Sequence, residues 1–267
     1  MKFFVNLFLV LFQICFGFNY KPIKSYAKSF SSKNLDNVNV IEPFYKNKES
    51  TNCIIFFTGG SSAIIPEIYS NFFNKLAHKN IAVFTPNFRY KNMDELIETL
   101  SKEYNEVIIT GHSSGCTTAL NNNNKLIKKY ILLDPVDARV LGGFKKKFIV
   151  KNINSVLFLN AQNSYRINYD PFGIPFIPFL NINKEKLDTK KNCKKIIIEA
   201  KNYGHCDVLN KPFSNLMHNL RLAVGNKNRT QENLDMYQIW MSDVIETFIN
   251  RNYNKLKKLK KINNTIN

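Results

Sequence analysis

The chain has 267 residues, 44% of them hydrophobic, with 38 Lys and Arg against 20 Asp and Glu and a formal net charge of +18. That length buries one large core, so a single α/β domain is the economical reading and nothing argues for two. Only six of the 38 basic residues are Arg, the side chain that clamps phosphate and reads guanine bidentately, so the charge argues against a nucleic-acid face and reads as a solvated, Lys-rich surface.

Met1-Lys2 opens a basic start, and Phe3–Phe16 is an apolar run too short to span a bilayer comfortably. Residues 1–17 read as a signal peptide, with small-residue cleavage candidates at Gly17 and around Ser25-Tyr-Ala27; an uncleaved anchor is the alternative. Either places the chain in the secretory pathway, where the sequons at Asn228 and Asn263 become usable. Without Cys15, the cysteines are Cys53, Cys116, Cys193 and Cys206, lacking the spacing of a disulfide scaffold or a C-x-x-C metal site. Cys53 and Cys116 read as buried thiols. The catalytic-type domain is expected over 28–254, followed by a basic tail over 255–267.

Val38–Tyr45 alternates apolar and polar residues, as an antiparallel strand does. Cys53–Thr58 is continuously apolar, the pattern of a central strand covered on both faces, and stops at Gly59-Gly60-Ser61-Ser62. Pro66–Lys79 carries Ile68, Phe72, Phe73 and Leu76 at helical spacing; Ile81–Phe84 is strand, and Met93–Tyr104 is an amphipathic helix with Asp94 and Glu95 near its start. Val107–Thr110 is strand, followed by a turn and a helix running to the Asn121–Asn124 tract. Tyr130–Leu133, Ser155–Asn160 and Lys195–Ala200 are strands, and Gln231–Asn250 is a closing helix. This alternation predicts an α/β fold with a mostly parallel central sheet flanked by helices and ligands at the carboxyl ends of the strands.

Gly111-His-Ser-Ser-Gly115 after a β-branched strand is the G-x-S-x-G grammar of a nucleophile elbow, a strand–turn–helix in which the glycines leave room for an exposed serine hydroxyl. A serine needs a base within hydrogen-bond reach, and the base needs an acid to hold its tautomer; in this fold the chain order is Ser, then Asp or Glu, then His. Of four histidines, His205 follows the strand ending at Ala200, whereas His78, His112 and His218 read as structural or solvated. The acid is Asp134, at the end of the strand Tyr130–Leu133, with Asp137 and Asp170 as alternatives. The oxyanion of an attacked carbonyl would take one N–H from Ser114 and one from the glycine loop, at Ser61. The plain alternatives are ordinary Gly-Ser turns.

The segments Ile54–Gly60, Gly111–Gly115, Leu132-Leu-Asp-Pro-Val-Asp137 and Ala200–Leu209 resemble the corresponding blocks of chlorophyllases, α/β-hydrolases that cleave the phytyl ester of chlorophyll, and more distantly those of platelet-activating-factor acetylhydrolases and polyester-cleaving hydrolases. The resemblance runs from about Ile54 to Phe248 and implies Ser113 as nucleophile, Asp134 as acid and His205 as base. It departs in the oxyanion loop, where Gly59-Gly60 replaces the family's His-Gly, and after the serine, where Ser114-Gly115-Cys116 replaces Arg-Gly-Gly.

The expected function is a serine carboxylic-ester hydrolase working through an acyl-enzyme on a hydrophobic small-molecule ester, without cofactor or metal; the alternative is a catalytically silent binding protein of the same fold. Asp170-Pro-Phe-Gly-Ile-Pro-Phe-Ile-Pro-Phe-Leu180 is either an apolar wall for such an ester or a loop packed on the core. Lys255–Lys261 offers peripheral contact with anionic membranes or forms a solvated helix end.

Overall fold

The computed structural model describes residues 38–43, 47–62, 64–87, 90–139, 147–165, 181–219 and 229–262. The signal segment, both sequon asparagines, the Pro-Phe segment with Asp170, and residues 263–267 lie outside them.

Seven strands form the main sheet: β1 (Val38–Ile41), β2 (Asn52–Phe57), β3 (Ile81–Pro86), β4 (Val107–His112), β5 (Lys129–Leu133), β7 (Ser155–Ala161) and β9 (Lys194–Ala200), in the order β1-β3-β2-β4-β5-β7-β9. Only β1 runs antiparallel, against β3; every other pairing is parallel. The order steps back at β2 and β3 and then advances strand by strand, with a crossover between successive parallel strands. This is the α/β-hydrolase arrangement, with the strand that precedes the serine at the centre. A small parallel pair, β6 (Phe148–Val150) with β8 (Leu187–Thr189), stands apart and was not anticipated from periodicity, because three residues are too few to show any.

Every residue of β2 to β5 is buried, which is why these segments read as unbroken apolar runs. Alternation survives beneath that uniformity. Ile54 and Phe56 point into one core, and Cys53, Ile55 and Phe57 into the other. The first core is closed by α2 (Ser70–His78), α6 (Gln231–Ile249) and α7 (Tyr253–Ile262), through Phe72, Phe73, Trp240, Val244, Phe248 and Leu256. The second is closed by α3 (Met93–Glu103) and α4 (Gly115–Asn121), through Leu96, Ile97, Leu100, Cys116 and Ala119.

The helix expected from Pro66 begins instead as a 3-10 turn, Pro66–Tyr69, and becomes α-helical at Ser70. Gly59–Ser62, expected as a loop, is a short helical turn, here α1. Lys211–Asn219, the remaining helix α5, follows the His205 turn. The basic tail is a docked helix, not a frayed end: Leu256 is 4% exposed, Leu259 packs against the same core, and the Trp240 indole N–H donates to the Leu259 carbonyl at 3.3 Å. Cys53 and Cys116 are buried thiols, and all four cysteines of the described residues are free. No helix of the described residues is long and apolar enough to cross a membrane.

Candidate active site

Strand register brings the site together. His112 is paired with Leu133 and Leu133 with Leu159, so the residues following β4, β5 and β7 emerge side by side at the carboxyl edge, with adjacent strands roughly 4.8 Å apart. The turns are stitched to one another: Ser113 N–H donates to Leu133 C=O at 3.0 Å, Asp134 N–H to Leu159 C=O at 2.9 Å, and Val136 N–H to Ser113 C=O at 3.0 Å.

Ser113 has φ 55° and Asp134 φ 44°, both in the left-handed region that non-glycine residues avoid at a cost of order 1–3 kcal/mol. The elbow requires the first, since the chain must reverse from β4 into α4 while the hydroxyl stays on the outer side. Its two glycines are sterically obligatory. A Cβ on Gly111 would lie 2.6 Å from the Cys116 N and the Gly115 carbonyl, and a Cβ on Gly115 would lie 2.2 Å from the Phe57 carbonyl oxygen. Both obstacles are backbone, which has nowhere to go.

His205 follows β9 on the turn 201–210, and its ring lies between the other two side chains. Its Nε2 is 2.8 Å from Ser113 Oγ, and its Nδ1 is hydrogen-bonded to Asp134 Oδ2. Asp134 accepts two further hydrogen bonds, from the Ala161 N–H at 3.1 Å and from the Ser164 hydroxyl at 2.5 Å. Burial disfavours the Asp134 carboxylate, but the adjacent His205 and these donors outweigh it and hold the carboxyl below its ordinary pKa. An ionised Asp134 accepts from Nδ1–H, so Nε2 is left as the acceptor for the Ser113 hydroxyl proton. That is the protonation state a general base needs. The His205 and Asp134 side chains are each 11% exposed, enough for access and little enough to strengthen their interaction.

The alternatives separate cleanly. Asp137 is turned away and held by Arg139, whose Nε donates to Oδ1 at 2.9 Å and Nη2 to Oδ2 at 3.1 Å. His78 ends α2 and His218 lies on α5. His112 points away from Ser113 into the core, as its place in the elbow predicts, but it is not idle: it meets Tyr69 and the His205 backbone.

Of the two expected oxyanion donors, Ser114 begins the turn after Ser113, and Ser61 sits in α1, which packs against α4. Within α1 the Gly59 N–H donates to Tyr69 Oη at 3.1 Å and the Ser62 N–H to Thr58 C=O at 3.0 Å, so those two amides serve the fold. Gly60 and Ser61 lie between them.

Three supports went unnoticed in the sequence. Ser164, on the 3-10 turn Gln162–Tyr165, grips Asp134. Asp207, fully buried, accepts from the Gly204 N–H at 2.9 Å and the Ser214 hydroxyl at 3.1 Å, and Arg229 pairs with it at 3.1 Å. The signal for Asp207 was present, a carboxylate two residues from the candidate base; Ser164 and Arg229 had none, since their partners are distant in the chain. Among the described residues no group of His, Cys, Asp and Glu side chains has the form of a metal site.

No family model and no curated protein sequence matches the chain. Among solved structures it is similar to Est1E from Butyrivibrio proteoclasticus, at 14% identity over 69% of this chain and 92% of that one with a TM-score of 0.41. It is similar also to a hyperthermophilic esterase from the archaeon Pyrobaculum calidifontis, at 11% identity, 79% and 81% coverage and a TM-score of 0.48. A third is a soluble variant of monoglyceride lipase from Saccharomyces cerevisiae, at 11% identity, 77% and 97% coverage and a TM-score of 0.43. At such identities no activity is carried across; what the chain does has to be argued from its own site.

Proposed function

We propose that the chain is a serine hydrolase of carboxylic esters acting through an acyl-enzyme. The observation that carries the reading is the continuous hydrogen-bonded line from Ser113 Oγ through the His205 ring to Asp134. Ser113 Oγ attacks the ester carbonyl as His205 Nε2 takes its proton. The N–H groups of Ser61 and Ser114 stabilise the oxyanion, and His205 returns the proton to the leaving alcohol. Water, deprotonated by His205, then attacks the acyl-Ser113 carbonyl, releasing the carboxylic acid and regenerating the serine hydroxyl. Asp134 stays ionised throughout, orienting His205 and stabilising its imidazolium.

The substrate proposed is a hydrophobic ester of the chlorophyllase kind. This rests on the sequence blocks around Ser113, Asp134 and His205 and on the Pro-pinned apolar run 170–180. The secretory location rests on residues 1–17.

The test is hydrolysis of p-nitrophenyl esters of increasing acyl length by the wild type and Ser113→Ala, with fluorophosphonate labelling of both. Wild-type turnover that falls at least about 10³-fold in the mutant, with labelling lost, is the expected result. Absence of both turnover and labelling in the folded wild type would replace this reading with the silent binding protein.

A further inference from the structure

Beneath the elbow, a single line of hydrogen bonds joins the loop that starts at Gly59 to the turn that carries His205. The Gly59 N–H donates to Tyr69 Oη at 3.1 Å, Tyr69 Oη lies 2.8 Å from His112 Nδ1, and His112 Nε2 lies 2.9 Å from the carbonyl oxygen of His205 itself. Each proton in the line has only one place to be. A carbonyl oxygen accepts only, so His112 Nε2 carries a hydrogen and donates it to His205. A neutral imidazole then leaves Nδ1 as an acceptor, which obliges the Tyr69 hydroxyl to donate to it. Tyr69 Oη is thereby free to accept from Gly59. The line runs in one direction from end to end, the arrangement in which successive hydrogen bonds polarise and strengthen one another.

Burial agrees with both protonation states. Tyr69 is wholly buried and stays a phenol, its pKa pushed far up by desolvation. His112 is 3% exposed and stays neutral, its pKa pushed down to about 3 by burial and by the neighbouring His205. The rings are also clamped: Tyr69 stacks on Phe73 with centroids 5.6 Å apart, and the His112 and His205 rings lie 4.8 Å apart. A pair of buried polar side chains inside an apolar core costs stability unless it does something hydrophobic residues cannot. Here it connects two turns from opposite ends of the reaction.

We propose that Tyr69 and His112 are positioning residues for the esterase reaction, a buried brace that sets the spacing between the glycine loop supplying the oxyanion N–H and the turn supplying the His205 base. The inference rests on the serine-hydrolase reading above. Neither side chain touches the substrate. The brace acts through Gly59 on Gly60 and Ser61, and through the His205 carbonyl on the His205 ring, so its worth appears when charge forms on the attacked carbonyl and not when the substrate binds.

Two single substitutions cut the same link. Tyr69→Phe keeps the ring and its packing but removes the hydroxyl, leaving Gly59 without its acceptor and His112 Nδ1 without its donor. His112→Gln keeps an N–H donor for the His205 carbonyl but loses the acceptor facing Tyr69. With p-nitrophenyl acetate as probe, each is expected to lower kcat by about 10- to 100-fold with KM within about twofold. The double variant should be no slower than the slower single one, because the second change removes a link already cut. Rates are taken per active site titrated with a fluorophosphonate, so a partly folded preparation does not pass for a slow enzyme. The inference is overturned if Tyr69→Phe and His112→Gln keep kcat per active site within about twofold of wild type, if their effects multiply, or if the loss falls in KM. If either single variant fails to fold, the other decides by its kcat and KM alone. Should wild type neither turn over nor label, the hydrolase reading falls and takes the brace with it; an active wild type with indifferent variants removes only the brace.

Discussion

Gly115 shows how little freedom the site leaves a single residue. It lies against the Phe57 and Thr58 carbonyls, where an added methyl would be 2.2 and 2.4 Å from oxygen. Those carbonyls end β2 and begin the glycine loop, so the close approach of elbow and loop, and with it the distance between Ser114 and Ser61, depends on an absent side chain. Gly115→Ala should therefore cost about 3 kcal/mol, the upper end of ordinary overpacking, because the opposing atoms are backbone. In a domain of this size that lowers the midpoint of thermal unfolding by roughly 6–12 °C. A variant that melted with the wild type would mean that elbow and loop can separate freely. Ser113 and Asp134 make the same point through their left-handed φ values. Strain sits on the nucleophile and the acid, the two positions whose backbone must turn sharply at the end of a strand.

At the scale of elements, the site is made of strand ends held by the turns behind them. The His205 turn has no strand on its outer side, and Asp207 takes that part. With Gly204 N–H, Ser214 hydroxyl and Arg229 all directed at it, Asp207 anchors the turn to α5 and to the start of α6. The Asp207 side chain is fully buried and Arg229 is 10% exposed, so the pair is worth little as a pair and a great deal as a unit that must not be halved. Arg229→Met should destabilise the protein by about 3–5 kcal/mol by stranding a buried carboxylate. Combining it with Asp207→Asn, which keeps an acceptor for Gly204 without the charge, should recover much of the loss in urea unfolding. Equal stabilities for single and double variants would show that the charge at Asp207 is compensated elsewhere. Docking of α7 belongs to this scale too. Leu256 and Leu259 turn inward, so the lysines of the basic tail are carried on a helix whose apolar side is already occupied.

For the molecule as a whole, the buried titratable groups set a direction for its response to acid. His112 has a folded pKa of about 3 against an ordinary value of 6.5, so between these values the unfolded chain binds a proton that the folded protein refuses. Stability is then complete above about pH 6.5 and falls as the pH is lowered, by up to about 1.4 kcal/mol per unit from this one group. Asp134 adds in the same sense: a carboxyl held below its ordinary pKa contributes stability above that value and loses it as the pH falls through the folded one. Urea midpoints between pH 7 and pH 4 should therefore decline more steeply for wild type than for His112→Gln, whatever the offset between them. Parallel curves would mean that His112 takes up its proton in the folded state after all.

Much of the fold is legible in the chain because local chemistry and global position agree there. Runs such as Cys53–Phe57 and Val107–Ile109 are apolar on both sides, which only a central parallel strand requires, and Gly111, Ser113 and Gly115 have the spacing that a strand-to-helix reversal imposes. Ser113, Asp134 and His205 could be named from the residues that precede them, since each is the first chemistry-bearing side chain beyond a readable strand or turn. The choice of Asp134 over Asp137 was a matter of three residues along one loop; what separates them is that Arg139 and not His205 faces Asp137. Tertiary structure alone decided the rest. Tyr69 meets His112 across 43 positions, Ser164 meets Asp134 across 30, and Arg229 reaches Asp207 from beyond the next helix. No periodicity carries such pairs, because a hydrogen bond between side chains depends on where two turns meet in space, and that is settled by strand order and register rather than by neighbours in the chain.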